Sequence, residues 1–311
     1  MRDPEFESLL CQLTEPLQSR LRTIAAEITP RVREIRIRVR KPVCIVLDDG
    51  VRFLGSAGGC RSLPNGAFCL DPVEFEALFQ KLCGYSVHSA SPSIRTGFLT
   101  LPGGHRVGVG GKAVLQNETM SAVREIGFLS IRVAREKPGC ADGLAAETQS
   151  GTRSLILAGP PCSGKTTLLR DLARLLGSER CGYKKVIVCD ERGELAAVCG
   201  GVQQFNVGIN TDVLTGYPKQ TAIEIATRSF SPDYIILDEV AAQEEAGKIA
   251  QAVNCSVRFA LSLHADSAAS LRKKQPLIRL LETGEFPTVL LLAARPPGAV
   301  AARFDAQALL D

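Results

Sequence analysis

Gly159-Pro160-Pro161-Cys162-Ser163-Gly164-Lys165-Thr166 is the G-x-x-x-x-G-K-[ST] pattern, complete and in register. Ser154-Leu155-Ile156-Leu157-Ala158 before it reads as a short buried strand. Leu168, Leu169, Leu172, Leu175 and Leu176 after it recur at helical spacing. Strand, glycine-rich turn and helix form the context in which such a loop binds phosphate. Backbone N–H groups of the turn point inward, and the first N–H groups of the helix have no intrahelical partner. With the positive helix end, these donors suit a β-phosphate. Lys165 adds a full charge for the β- and γ-phosphates, the Thr166 hydroxyl is placed to ligate Mg²⁺, and Thr167 is a second hydroxyl near the α-phosphate. The whole loop, with Pro160, Pro161, Cys162 and Ser163, is the expected ATP contact.

Outward from the loop, two further apolar strands end in charge. Tyr234-Ile235-Ile236-Leu237-Asp238-Glu239 ends in two carboxylates, the first expected in the Mg²⁺ shell and the second beside the attacking water. Val186-Ile187-Val188-Cys189-Asp190-Glu191-Arg192 repeats the design. Parallel neighbours would bring Asp190 and Glu191 to the same sheet edge, where either could meet the metal or the water, and a capping role for Asp190 is the alternative. Leu261-Ser262-Leu263-His264-Ala265-Asp266 ends in one of only three histidines, a candidate sensor of the γ-phosphate.

At 311 residues the chain is long enough for two domains. Hydrophobic residues at 45% and charged residues at 23% fit a globular protein, not a disordered one. No apolar run approaches the ~20 residues that cross a bilayer. The start, Met1-Arg2-Asp3-Pro4-Glu5, lacks the apolar core of a signal peptide, so a cytoplasmic location is expected. There are 11 cysteines and no C-x-x-C pair, which points to reduced thiols, Cys44 and Cys189 in strands among them. Cys162, near a helix start, is a passive loop residue or an oxidation-sensitive one. The net charge of +4 falls in the N-terminal half and is too small to argue for nucleic acid.

Residues 5–28 read as one helical opening, with Phe6, Leu9, Leu10, Leu13, Leu17, Leu21 and Ile24 on one face. Residues 34–40 alternate as a strand, with Arg36, Arg38 and Arg40 on a solvated outer face. A hairpin is expected over 43–47 and 51–54, a loop over 55–66, and a helix from Asp71 to about Cys83. A second hairpin follows over 97–101 and 106–110, then strands at 121–124 and 129–133. Residues 134–153, with Pro138-Gly139, Asp142-Gly143 and Ser150-Gly151, form the boundary. The expected domains are 1–145, α+β with a mainly antiparallel sheet, and 146–311, α/β with a parallel sheet. In the second, strands are expected at 154–158, 185–190, 234–239 and 258–264. Helices are expected at 165–176, 219–229, 242–254 and 267–282, with a closing hairpin over 288–293 and 299–304.

The order of phosphate loop, Asp190-Glu191, Arg228 with Ser231-Pro232-Asp233, Asp238-Glu239 and Leu263-His264-Ala265 resembles the secretion ATPases of type II and type IV systems. Glu34-Ile35-Arg36-Ile37 with Asp49-Gly50, Gly104-His105-Arg106-Val107 and Ile131-Arg132 are similar to their N-terminal domain. Asp190-Glu191-Arg192-Gly193-Glu194 and Thr211-Asp212-Val213-Leu214, with the phosphate loop and its helix, narrow the resemblance to the stage III sporulation AA family over nearly the whole chain. The resemblance implies a P-loop NTPase of RecA-like fold that hydrolyses ATP with Mg²⁺. It implies a hexameric ring on the mother-cell side of the channel to the forespore, peripheral to the membrane and working with other stage III sporulation proteins. Arg106 and Arg132, with Arg124 as a weaker candidate, match the arginines that the family turns to the nucleotide. Asp238 departs from the wider family, where many members have glycine before the glutamate, so the division of labour among Asp238, Glu239 and Glu191 stays open. The rival readings are a single-strand nucleic-acid translocase of the same fold and a scaffold that binds ATP with little turnover.

Overall fold

The computed structural model describes residues 3–116, 118–148 and 152–311. The Ser150-Gly151 turn and the first two residues of the chain lie outside them. The chain divides into two compact units, Met1–Arg135 and Glu136–Asp311. Residues 136–145, assigned by sequence to the first domain, pack with the second, because Ala141 and Leu144 join its core.

The first unit opens with α1 (Pro4–Cys11) and α2 (Glu15–Leu21), where the sequence suggested one helix. Thr14 takes an extended N-cap conformation, and Pro16 sits in the first turn of α2, where its missing N–H costs nothing. The apolar face is nonetheless continuous: Phe6, Leu9, Leu10, Leu13, Leu17, Leu21 and Ile24 are all buried. The strands are β1 (Val32–Arg38), β2 (Lys41–Leu47), β3 (Gly50–Leu54) and β4 (Cys60–Arg61). Helices α3 (Pro72–Leu82) and α4 (Val87–Arg95) follow, then β5 (Phe98–Thr100), β6 (Arg106–Gln116) and β7 (Thr119–Arg132). The sheet is antiparallel in the order β4-β3-β2-β1-β7-β6-β5. The two strands expected at 121–124 and 129–133 are one, β7, because it pairs along β6 as a long hairpin. Ile35, Ile37, Val107, Leu129 and Ile131 point into a single core with the helices. Arg36 is exposed on the other face as expected, but Arg38 turns back to donate to Pro42 O at 3.3 Å, and Arg40 lies in a turn at φ 54°.

The second unit contains α5 (Asp142–Glu147), β8 (Leu155–Gly159), α6 (Lys165–Leu176), β9 (Val186–Asp190) and β10 (Thr211–Thr215). It continues through α7 (Lys219–Ile225), β11 (Tyr234–Leu237), α8 (Gln243–Val253) and β12 (Arg258–His264). It ends with α9 (Ala268–Arg272), α10 (Gln275–Leu281), β13 (Thr288–Leu292), β14 (Val300–Asp305) and α11 (Ala306–Leu310). The strand order is β10-β9-β11-β12-β8-β13-β14, parallel except for β14. Alternate strand residues feed two cores. Ile187, Ile235 and Leu261 face α7, α8 and α10, whereas Val188, Ile236 and Ala260 face α5 and α6. Burial on both faces explains the near-continuous apolar strands. The helix expected over 267–282 is broken between α9 and α10, where Pro276 starts the second. The helix expected over 219–229 ends at Ile225 and continues as one π turn to Phe230.

Candidate functional site

The register of the parallel sheet aligns the strand ends. Gly159 is paired with His264, and Leu237 lies between Cys189 and Leu261. The phosphate loop, Asp190, Asp238 and His264 therefore emerge at one edge, where open α/β sheets take ligands.

The loop turns tightly onto α6. Gly164 has φ 94°, and a Cβ there would lie 2.9 Å from the backbone N of Gly298. The position therefore demands glycine both for its conformation and for the approach of the β13–β14 turn. Ser163 O holds that turn by accepting from Gly298 N at 2.8 Å. Among the described residues Ser163 Oγ is buried without a hydrogen-bond partner. An orphaned hydroxyl inside a loop that leads to unpaired helix N–H groups fits a phosphate-bearing ligand. Beside Pro160, Pro161 and His264 runs an open groove of about 580 Å³ edged by Lys273 and Lys274.

Lys165 is buried, and its Nζ donates to Gly159 O and Pro160 O, both at 2.8 Å. Burial pushes its pKa below the ordinary lysine value, against the opposing pull of the Asp238 and Glu239 carboxylates. The third Nζ contact is His264 Nδ1 at 3.3 Å. An ammonium only donates, so Nδ1 accepts and Nε2 carries the proton given to Glu239 Oε1 at 2.9 Å.

Thr166 Oγ1 donates to Asp238 Oδ2 at 2.5 Å, and Ser262 Oγ donates to Asp238 Oδ1. A hydroxyl beside a carboxylate is the hard-oxygen pair that Mg²⁺ takes while keeping several waters. Among the described residues no cluster of three His, Cys, Asp or Glu side chains could hold a metal by itself.

Glu239 is held at every polar atom. Its N donates to Ser262 Oγ at 2.9 Å and its O accepts from Lys219 Nζ at 2.7 Å. Oε2 accepts from Arg192 Nη1 at 2.7 Å. The backbone is left-handed, φ 56°, an uncommon state for glutamate. Burial raises its pKa, but the His264 hydrogen bond and the Arg192 and Lys219 charges outweigh that and hold it below the ordinary value.

Asp190 caps the backbone that follows it. Both carboxylate oxygens are filled by the backbone N–H groups of Glu194, Leu195 and Ala196, at 2.8 to 3.2 Å. It organises the turn after β9, and Arg170 fixes the same turn by donating to Leu195 O and Glu194 O. Glu191 is exposed, with Oε2 3.6 Å from Lys219 Nζ. Thr167 is half-buried on the first turn of α6, and Cys162 is exposed at φ 61°.

In the first unit Arg106 and Arg132 stand directly opposite each other on β6 and β7, with Glu34 next to Arg132 on β1. They share the sheet face away from the core, and the Arg106 guanidinium lies 3.5 Å over the Phe98 ring. Arg124 is farther along, opposite Lys112. Arg228 is spent locally, in an ion pair with Glu224 on its own helical surface. Sequence reasoning missed Ser262, Lys219 and, as a partner of Glu239, Arg192. A lone hydroxyl inside the apolar run Phe259–Leu263 was the available signal for Ser262.

Among solved structures, the chain is similar to the ATPase DotB of Yersinia pseudotuberculosis, with a TM-score of 0.57 and 14% identity, covering 92% of this chain and 78% of that one. It is also similar to the pilus retraction motor PilT, solved with bound ADP, with a TM-score of 0.54 and 15% identity over 85% of this chain and 75% of that one. These likenesses show a RecA-like ATPase fold with an N-terminal α+β unit. Among sequences, it is 32% identical over 297 residues to stage III sporulation protein AA of Bacillus subtilis (strain 168), covering 94% of this chain and 93% of the relative. The family described as "Sporulation stage III, protein AA" matches residues 10–309, and this chain belongs to that family.

Proposed function

We propose that the chain is a Mg²⁺-dependent ATPase. The observation that carries the reading is the convergence of Lys165, the Thr166–Asp238 pair and the Glu239–His264 pair on one sheet edge. Loop N–H groups and Lys165 bind the phosphates and stabilise the charge that builds on them. For this, Nζ exchanges its Gly159 and Pro160 carbonyls for phosphate oxygens. Thr166 and Asp238 are the residues that would hold Mg²⁺, which neutralises phosphate charge when bound. Glu239 orients the attacking water and accepts its proton, and His264 links that carboxylate to Lys165. Family membership and the secretion-ATPase fold support a sporulation role. In this reading ATP turnover powers or assembles the channel between mother cell and forespore. The protein works as a ring on the mother-cell side, peripheral to the membrane and beside other stage III proteins, with Arg106 and Arg132 serving a neighbouring subunit's nucleotide. Among the described residues no helix is long and apolar enough to cross a membrane.

The paired variants Glu239→Gln and Glu191→Gln test the assignment. Glu239→Gln binds ATP but releases phosphate slowly, and Glu191→Gln stays close to wild type. The reverse pattern would move water activation to Glu191. Tight ATP binding with no phosphate release from the wild type would favour the scaffold reading, and stimulation by single-stranded DNA the translocase reading.

A further inference from the structure

We propose that Lys219 is a positioning residue for the reaction, the cation that holds the Glu239 backbone in its left-handed state. The proposal rests on the ATPase reading above. Lys219 is the first residue of α7, twenty positions before the glutamate it serves, and its side chain is only 10% exposed. A lysine that buried requires partners. Its strongest contact is not a carboxylate but the Glu239 carbonyl, 2.7 Å from Nζ. The nearest carboxylate oxygens are farther away, Glu191 Oε2 at 3.6 Å and Glu245 Oε1 at 3.7 Å.

The geometry explains why a cation is placed there. A non-glycine residue at positive φ persists only where its surroundings over-determine it. At Glu239 two groups do so from opposite sides: Ser262 Oγ takes the N–H and Lys219 Nζ takes the C=O. Ala241 and Ala242 are held as well, because Glu245 Oε2 accepts from Ala241 N at 2.8 Å and Ala242 N at 3.1 Å. Glu245 is in turn one of the carboxylates beside Lys219. Lys219 thus joins the start of α7 to both ends of the 239–242 turn. The left-handed turn aims the Glu239 side chain toward His264 Nε2. Without Lys219, the carbonyl loses its donor and the turn is free to relax toward the right-handed region, carrying the carboxylate away from His264. A residue acting this way lowers turnover and leaves ground-state ATP binding alone.

The test compares wild type with Lys219→Met and, as a charge-loss control, Lys248→Met, whose ion-pair partner is Glu224 on α7. Three quantities are read: affinity for a fluorescent ATP analogue, steady-state phosphate release, and hydrogen exchange of residues 238–242 in nucleotide-free protein. Lys219→Met is expected to bind the analogue within threefold of wild type, to lose at least tenfold in kcat with KM little changed, and to exchange faster at 238–242. Lys219→Arg, which donates to the same carbonyl, recovers most of the kcat, and Lys248→Met behaves as wild type. Should Lys219→Met unfold, Lys219→Gln, polar but too short to reach the carbonyl, is read in its place. Unchanged exchange at 238–242, or a loss of binding as large as the loss of kcat, overturns the proposal. An inactive wild type with faster exchange in Lys219→Met would overturn the ATPase reading and leave the positioning role standing.

Discussion

Replacing Ser262 by alanine removes one oxygen that does two jobs. Ser262 is fully buried on β12, donates to Asp238 Oδ1 and accepts from Glu239 N at 2.9 Å. A hydrogen bond to a charged group contributes about 1.5–3 kcal/mol, and a donor left unsatisfied in the interior costs about 1–3 kcal/mol. The two overlap, so a net loss of about 3 kcal/mol is expected, roughly 6–12 °C in Tm for a domain of this size. Stability alone would not separate a site residue from a structural one. Ser154 supplies the comparison. It too is buried, donates to Glu285 Oε1 at 2.9 Å and accepts from Phe259 N at 2.9 Å, but at the opposite end of the sheet. Calorimetry should give the two alanine variants similar losses. Phosphate release should separate them: Ser154→Ala keeps its kcat below its melting range, whereas Ser262→Ala loses about tenfold, roughly 1.4 kcal/mol of transition-state stabilisation. Equal turnover in the two variants would refute the claim that Ser262 orients Asp238 and Glu239. No stability loss in either would refute the hydrogen-bond reasoning itself.

Asp190→Ala should destabilise the second unit by about 2–4 kcal/mol, because at least three backbone N–H groups lose their acceptor, and denaturant unfolding would read it. An Asp190→Ala protein with full stability and no ATPase would mean a direct catalytic part instead. Acid should weaken the first unit through His105, which is fully buried and whose pKa burial lowers to about 4. The unfolded chain takes up that proton from about pH 6.5 downward while the folded one refuses it until about pH 4, so stability is flat above that window and falls within it. At pH 5 the loss is about 2 kcal/mol, and His105→Gln should flatten the profile between pH 7 and 5. Arg106→Ala and Arg132→Ala should each cut turnover strongly, and mixing Arg106→Ala with Lys165→Ala subunits should restore part of it. Full activity in both arginine variants, independent of protein concentration, would sink the ring.

The phosphate loop was legible because everything it needs is local: a buried strand, glycines at the tight turn and a leucine-striped helix. Asp238 and His264 were legible as polar ends of apolar strands, since parallel pairing brings such ends to one edge. Asp190 looked the same, with capping as the alternative, and which of the two it does depends on whether the next residues turn their N–H groups back, as Glu194, Leu195 and Ala196 do. Lys219 was hidden by distance in sequence and by the left-handed Glu239, which no periodicity announces. β10 was missed because Thr211–Thr215 is an edge strand, buried only at Thr211, without the apolar run of its neighbours. α4 was masked by its serines and by Pro92, both poor helix formers. The opposition of Arg106 and Arg132 is a matter of register across the long β6–β7 hairpin, and residue identity alone does not give it.

In the proposed function this chain uses its phosphate loop to bind and hydrolyse ATP. The most direct measurement is Mg²⁺-dependent phosphate release by the purified wild type and Lys165→Ala, with circular dichroism and binding of a fluorescent ATP analogue read on the same samples. Release by the wild type is expected and should be lost in Lys165→Ala, together with weakened analogue binding and an unchanged spectrum. A folded Lys165→Ala that releases phosphate at the wild-type rate would contradict it.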